Sequence, residues 1–249
     1  ALSAGNRAMI KMSEFTPNLN KVFKAMIAEV FDENRVCVIE GEADAAIAFT
    51  EQPFDHILFT GSTAVGRFVM AAAAKNLTPV TLELGGKSPT IVSDNIPMKD
   101  AAERICFGKS MNAGQTCVAP DYILVPKAKE EAFIKAYVAA FSKMYPTLKD
   151  NDDYSAIVND RQYQRLSSWI EDAKGKGAKL TEINPANEDL SAGRKLAPVI
   201  VQNMKNDMTI AEEELFGPIL PIITYESMDE AIAYINDRPR PLALYFFGY

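Results

Sequence analysis

A strand, a turn and a helix are encoded in succession by His56-Ile57-Leu58-Phe59-Thr60-Gly61-Ser62-Thr63-Ala64-Val65-Gly66-Arg67. The apolar run enters a Gly-Ser turn that opens a helical pattern. Such a junction presents backbone N–H groups and the positive end of a helix dipole, which favour a bound phosphate. Gly61 and Gly66 have the glycine spacing of a P-loop, but Arg67-Phe68 stand where that motif needs Lys and Ser or Thr, so nucleotide hydrolysis is not expected. On its own, the pattern also fits glycines that serve only the backbone turn.

The same alternation of strands and helices extends in both directions along the chain. This alternation is typical of βαβ units with parallel sheets, so the predicted fold class is α/β. Two polar stretches, residues 147–154 and 183–194, are predicted surface loops. We predict strands over residues 8–11, 36–40, 56–60, 80–83, 90–92, 122–125, 199–201, 220–225 and 242–247, and helices over residues 19–33, 64–75, 98–111, 129–145, 160–176 and 229–236.

Composition excludes several classes of protein. The 249 residues correspond to one or two domains. The net charge of −7 does not favour a nucleic-acid partner, and no apolar run reaches the roughly 18 residues of a membrane segment. Three cysteines and one histidine form neither a disulfide framework nor a zinc cluster, so no metal is expected. Because no signal peptide is evident either, we predict a cytoplasmic location.

Glu83 is a candidate general base. It ends an apolar strand and precedes Gly85-Gly86. We expect its carboxylate at the carboxyl edge of a sheet, where open α/β folds bind ligands. The alternative is a glutamate that only meets solvent at a strand end.

Cys117 is the candidate nucleophile, because it is the one cysteine in a polar loop. Cys37 lies in a predicted strand and Cys106 in an apolar helical pattern, so both are expected in the core. The single histidine, His56, lies roughly 16 Å from the Gly61 turn at about 3.3 Å per strand residue. If Cys117 faces the same cleft as Gly61, a cysteine–histidine pair is disfavoured and a carboxylate base remains.

A further candidate segment reads Glu212-Glu213-Glu214-Leu215-Phe216-Gly217-Pro218. One glutamate could accept hydrogen bonds from ribose hydroxyls, with Phe216 packed on the neighbouring ring. In isolation, the pattern favours a solvated turn.

Four segments, in this order, resemble the aldehyde dehydrogenase superfamily: Phe59-Thr60-Gly61-Ser62, Leu82-Glu83-Leu84-Gly85-Gly86-Lys87-Ser88-Pro89, Gly114-Gln115-Thr116-Cys117 and Glu213-Glu214-Leu215-Phe216-Gly217-Pro218. The resemblance extends over nearly the whole chain. Residues 77–81, 119–122 and 241–245 resemble its class 3 and coniferyl-aldehyde dehydrogenase branch. The resemblance implies a Rossmann-like parallel-sheet cofactor domain, residues 1–84, followed by an α/β catalytic domain, residues 85–249.

The resemblance also implies a reaction. Cys117 would attack an aldehyde, hydride would pass to NAD, and Glu83 would activate the water that hydrolyses the resulting thioester. The implied substrate is an aromatic aldehyde such as coniferyl aldehyde, or a medium-chain aliphatic one. Phe107, Met111 and Val118 either line the substrate tunnel or pack in the core.

NAD is the implied cofactor. Glu14 would repel a 2′-phosphate, although the class 3 branch also uses NADP. The implied binding set is Lys11 and Glu14 at the adenosine ribose, Gly61 and Ser62 at the pyrophosphate, Glu214 with Phe216 at the nicotinamide ribose, and also Gly66 and Gly85.

Two other interpretations remain open. A redox-free thiol acyltransferase or hydrolase could use Cys117 and Glu83, but it leaves Gly61-Ser62 and Glu214 unexplained. A non-catalytic relative could also keep the fold. An acylating dehydrogenase that passes the thioester to coenzyme A is disfavoured, because that branch generally lacks the base at Glu83.

The resemblance further implies family segments outside these residues. An asparagine that donates to the oxyanion would precede Ala1, and an oligomerisation arm would follow Tyr249. We therefore expect a fragment of a homodimeric protein. Because losing one oxyanion donor costs about 10²–10³ in rate, we expect the isolated chain to be weakly active or inactive.

Overall fold

The structure, a computed structural model, describes residues 1–249. It divides into two compact units, Ala1–Glu83 and Leu84–Tyr249. No helix is both long and apolar enough to cross a membrane. The strands are β1 (Ala8–Lys11), β2 (Val36–Ile39), β3 (Ile57–Gly61), β4 (Val80–Leu84), β5 (Pro89–Val92), β6 (Tyr122–Pro126), β7 (Lys179–Glu182), β8 (Val199–Gln202), β9 (Ile219–Tyr225) and β10 (Tyr245–Phe247); the α-helices are α1 (Pro17–Val30), α2 (Ala43–Thr50), α3 (Thr63–Ala74), α4 (Met98–Ser110), α5 (Glu130–Met144), α6 (Asp160–Gly175), α7 (Thr209–Glu212) and α8 (Met228–Asn236).

The first unit contains two two-stranded sheets and three α-helices. β1 and β2 pair in parallel, with Ala8 opposite Val36, and β3 lies beside β4. The small core between β3, β4 and α3 forms around Ile57, Val69 and Ala73. Apolar residues alternate along β4, so Val80 and Leu82 pack against this core while Thr81 and Glu83 face outward.

The second unit is built on a six-stranded sheet in the order β10-β5-β6-β9-β8-β7. Successive residues of the central strand β6 bury against opposite faces, because Ile123 belongs to the core formed with α4 and α5, and Leu124 to the core with α8. A near-continuous apolar strand is what a parallel sheet covered on both faces requires. The sheet is parallel except at its edge, where β7 runs antiparallel to β8.

Several predictions from the sequence were wrong in detail. The pattern missed α2, α7 and β7, because α2 and α7 are short and β7, Lys-Leu-Thr-Glu, is an edge strand with one apolar residue. The last strand covers only Tyr245–Phe247, and Leu242 and Leu244 before it are exposed.

The two predicted loops are irregular but not purely superficial. Leu148, Tyr154 and Ile183 are buried in the main core of the second unit. The polar composition correctly indicated that these two stretches form no helix or strand. It did not indicate that three of their apolar side chains are buried.

Candidate active site

The loop that carries Cys117 follows a tight left-handed turn. After α4, the residues Met111–Gly114 form a 3-10 turn in which Asn112 and Ala113 have φ of 50° and 52°. Gly114 continues with φ of 75°, and a Cβ there would lie 2.5 Å from the carbonyl oxygen of Gly217. A larger residue at position 114 is therefore excluded by both the backbone angle and the close approach.

Neutral side chains hold the cysteine loop, residues 115–119, at both of its ends. The Gln115 amide donates to the carbonyl of Ala156 at 3.1 Å, and its oxygen accepts from the N–H of Val158 at 2.9 Å. At the other end, the Tyr245 hydroxyl donates to the carbonyl of Val118 at 2.6 Å. These contacts fix the backbone on either side of Cys117 while its thiol stays exposed.

The three cysteines differ in access to solvent. Cys117 is exposed, Cys37 is half-buried and Cys106 is buried. Burial raises the pKa of the Cys106 thiol to about 11, which suppresses its thiolate. The expectation that Cys37 lies in the core was wrong, because buried and half-buried residues alternate along β2 and Cys37 is one of the half-buried ones.

An apolar cavity of about 120 Å³ adjoins the cysteine loop. Thr116 and Val118, the two neighbours of Cys117, both line it. Phe107, Met111 and Val118 are 63%, 46% and 40% exposed, so of the two alternatives left open for them, packing in the core does not hold. The cavity is lined by Arg104, Ile105, Gly108, Met111, Thr116, Val118, Pro120, Tyr245 and Phe247.

The Glu214 segment, residues 213–215, is irregular backbone held by charged side chains. Lys87 pairs with Asp121 and also donates to the carbonyls of Ile210 and Glu213, at 2.9 and 3.0 Å. Asp121 accepts from the N–H of Leu215 at 2.8 Å. Arg165 of α6 donates to the carbonyls of Glu214 and Leu215, at 3.3 and 2.7 Å.

The Glu214 carboxylate lies directly against Gly85, where any side chain would collide with it. Desolvation by burial raises the pKa of Glu214, and a hydrogen bond from the Gly86 backbone opposes that shift. Two of the residues predicted from the sequence, Gly85 and Glu214, are thus brought together. Phe216 adopts a φ of 45° and is 40% exposed. The solvated-turn interpretation was wrong for Glu214, although Glu212 and Glu213 are exposed.

Within the first unit, Lys11 and Glu14 pair at 3.2 Å. The Glu14 pKa is lowered by a hydrogen bond from its own backbone, and Lys11 lowers it further. Ser62 caps α3 by accepting from the N–H of Val65 at 3.4 Å. Gly61 ends β3, and Gly66 is buried one helical turn into α3.

Glu83 lies in β4, one residue before the strand ends, and its side chain is exposed. His56 stands just before β3, where its Nε2 is 2.9 Å from the Thr81 hydroxyl. Thr81 and Glu83 lie two residues apart and therefore share the outward face of β4.

Sequence reasoning missed the charged residues that hold the Glu214 segment. Lys87 and Asp121 both lie in segments that resemble the family, but nothing in their spacing indicated that they pair. Lys109 falls on the apolar face of α4 and is 3% exposed, and desolvation lowers its pKa to about 8. A lysine in an otherwise apolar helical stripe is the one local signal that a buried charged cluster lies nearby.

Comparison with known proteins identifies the family of this sequence. The sequence matches the aldehyde dehydrogenase family over residues 1–248. The chain belongs to the aldehyde dehydrogenase family. A probable coniferyl aldehyde dehydrogenase of Pseudomonas aeruginosa is 55% identical over 249 residues, which are 100% of this chain and 52% of that relative.

Solved aldehyde dehydrogenases also share the fold. A substrate-bound Staphylococcus aureus AldH superposes with a TM-score of 0.92 at 46% identity, covering 100% of this chain and 53% of that one. An NAD⁺ complex of a Mycobacterium tuberculosis aldehyde dehydrogenase gives 0.88 at 33% identity, covering 99% and 52%. The predicted family and the α/β aldehyde dehydrogenase-like fold are confirmed. The chain spans about half the length of these relatives.

Proposed function

We propose that this chain carries the nucleophile and part of the cofactor site of an NAD(P)-dependent aldehyde dehydrogenase that converts an apolar aldehyde to its carboxylic acid. The observation that carries the proposal is the exposed Cys117 thiol on a loop fixed by Gln115 and Tyr245. A nucleophile that is accessible but held in place is what covalent catalysis requires.

Each unit contains residues that fit part of a dinucleotide cofactor. In the first unit, Glu14 can accept from ribose hydroxyls beside Lys11, and the N-terminus of α3 presents backbone N–H groups to a pyrophosphate. In the second unit, the Glu214 carboxylate lies so close to Gly85 that no side chain could fit at that position. NAD supplies the hydride acceptor when it is bound, and a relative solved with NAD⁺ supports it as the cofactor.

The proposed chemistry divides one oxidation into two steps. The Cys117 sulfur forms a C–S bond to the aldehyde carbon, and the carbonyl oxygen gains a proton, which gives a thiohemiacetal. Loss of hydride from that carbon and of the hydroxyl proton leaves a thioester on Cys117. Glu83 takes a proton from water as the water oxygen attacks the thioester, and the acid leaves as the C–S bond breaks. The sum is aldehyde, water and oxidised cofactor giving acid, reduced cofactor and a proton.

An apolar aldehyde suits the cavity beside Cys117. Its lining includes the apolar side chains of Ile105, Met111, Val118 and Phe247. Such a lining suits the apolar part of an aromatic or aliphatic aldehyde. The relative named a probable coniferyl aldehyde dehydrogenase supports an aromatic substrate.

The decisive test follows NADH formation with coniferyl aldehyde in the full-length protein that contains this chain. Cys117→Ala should abolish turnover, since no thioester can form. Glu83→Gln should release one NADH per site in a burst and then stall, because the thioester accumulates. Cys37→Ala is the matched thiol control and should keep wild-type turnover.

Other outcomes would replace the proposal. Cofactor-independent consumption of an ester or thioester that depends on Cys117 would identify a redox-free thiol enzyme. Binding of NADH without oxidation of aromatic or aliphatic aldehydes would identify a non-catalytic relative.

A further inference from the structure

We propose that Lys87, Asp121 and Arg165 are positioning residues that set affinity for the nicotinamide half of the cofactor by fixing Glu214. The inference rests on the proposed function, in which Glu214 accepts from the nicotinamide ribose. It adds how the carboxylate is placed and which residues place it.

The backbone of the Glu214 segment is held at four of its polar groups. Lys87 donates to the carbonyl of Glu213, and Arg165 donates to the carbonyls of Glu214 and Leu215. Between those two carbonyls, the N–H of Leu215 donates to Asp121. Neither a strand nor a helix satisfies these groups, so side-chain charges replace the hydrogen bonds that regular structure would supply.

The same ion pair joins three parts of the site. Lys87 directly follows the Gly85-Gly86 turn, and Asp121 lies four residues after Cys117. The backbone of Asp121 also donates to the carbonyl of Ser88 at 2.9 Å. The turn against which the Glu214 carboxylate rests is therefore fixed by the same pair that fixes the Glu214 backbone.

The Lys87–Asp121 ion pair is almost completely buried. The Asp121 and Lys87 side chains are 3% and 11% exposed. An ammonium group has three donors, and Lys87 uses them on Asp121, Ile210 and Glu213. Glu214 itself takes part in no ion pair in the chain, so its oxygens remain able to accept from hydroxyl groups.

The test uses the full-length protein and measures NADH dissociation by fluorescence, with KM for NAD and for aldehyde. Arg165→Lys keeps the cation but cannot span two carbonyls. Asp121→Asn keeps the shape but removes the charge. Each variant should weaken NADH binding and raise KM for NAD by about tenfold, because a displaced Glu214 carboxylate loses a charge-assisted hydrogen bond to the ribose. KM for aldehyde and the rate of Cys117 alkylation by iodoacetamide without cofactor should change less than twofold. Glu212→Gln is the control, because Glu212 is exposed and lies two residues before Glu214, and this variant should match wild type.

A double-variant cycle separates positioning from general structure. If Arg165 acts through Glu214, then Glu214→Gln with Arg165→Lys should bind NADH no more weakly than Glu214→Gln alone. Additive losses would overturn the inference while leaving the proposed function intact. Wild-type protein that neither binds NADH nor forms it would overturn both. If Asp121→Asn does not fold, the cycle of Glu214→Gln and Arg165→Lys still tests the inference, because Arg165 is only half-buried.

Discussion

Two irregular segments carry the candidate chemistry, and they are held in opposite ways. The cysteine loop is fixed by neutral groups, the Gln115 amide and the Tyr245 hydroxyl. The Glu214 segment is fixed by the charges of Lys87, Asp121 and Arg165. Both segments lie in the second unit, and the glycines just outside them, Gly114 and Gly217, approach each other closely.

The difference follows from what each segment presents. The cysteine loop presents a thiol, and the side chains that hold its backbone, an amide and a phenol, carry no charge. The Glu214 segment presents a carboxylate, and the cations near it, Lys87 and Arg165, donate their hydrogen bonds to backbone carbonyls. The charged segment should therefore be more sensitive to substitution and to pH than the neutral loop.

Lys87→Met should produce the largest effect, because it leaves Asp121 buried without its cation. Breaking one partner of a buried pair typically costs about 3–5 kcal/mol in the free energy of unfolding, measurable by urea denaturation. Lys87→Met with Asp121→Asn removes the stranded charge while keeping an acceptor for Leu215, so it should recover part of that loss. A loss below about 1 kcal/mol in the single variant would contradict the claim that charge holds this segment.

The buried cluster should also produce a pH effect through Lys109, because desolvation lowers its pKa in the folded protein to about 8 from its ordinary value of 10.5. Between these values the unfolded chain binds a proton that the folded chain does not, so stability contributed at this site rises with pH. Lys109→Met should therefore be more stable than wild type at pH 7, by up to about 3 kcal/mol, and this advantage should vanish near pH 10.5.

The matched control for this measurement is Lys135→Met, which removes an exposed lysine of α5. Its difference from wild type should stay constant over the same pH range. An advantage of Lys109→Met that does not shrink as the pH rises would show that improved packing, rather than a suppressed charge, is the cause.

The sequence predicted the fold class through periodicity and marked the candidate site through local motifs. β6 was predictable because its four apolar residues are buried on both faces, and Cys117 because a glycine-containing polar loop surrounds it. What escaped prediction depends on contacts between distant residues. Lys87 and Glu213 are separated by 126 positions, so nothing local in either segment announces their hydrogen bond.

Gln115→Leu should have a smaller effect than the loss of Lys87, because it removes only neutral hydrogen bonds. It leaves the N–H of Val158 and the carbonyl of Ala156 without their partner, at a cost of about 2 kcal/mol in unfolding free energy. Amide exchange at residues 115–119 should accelerate. Gln52→Leu, which removes one exposed contact to Ala48, is the control and should change stability by less than about 0.5 kcal/mol. Unchanged exchange in the cysteine loop would contradict the role given to Gln115.

Tyr245→Phe should have the smallest effect, about 1 kcal/mol, because the ring stays and only the hydroxyl bond to Val118 is lost. Tyr249→Phe is the control, since its hydroxyl makes only a 3.4 Å surface contact with Asp100. Gln115 and Tyr245 hold opposite ends of the cysteine loop, so the double variant reports whether the ends are independent. Losses that add within about 0.5 kcal/mol would mean that each end is fixed separately. A larger coupling would mean that residues 115–119 move as one body, and Cys117 would then lose its position when either end is released.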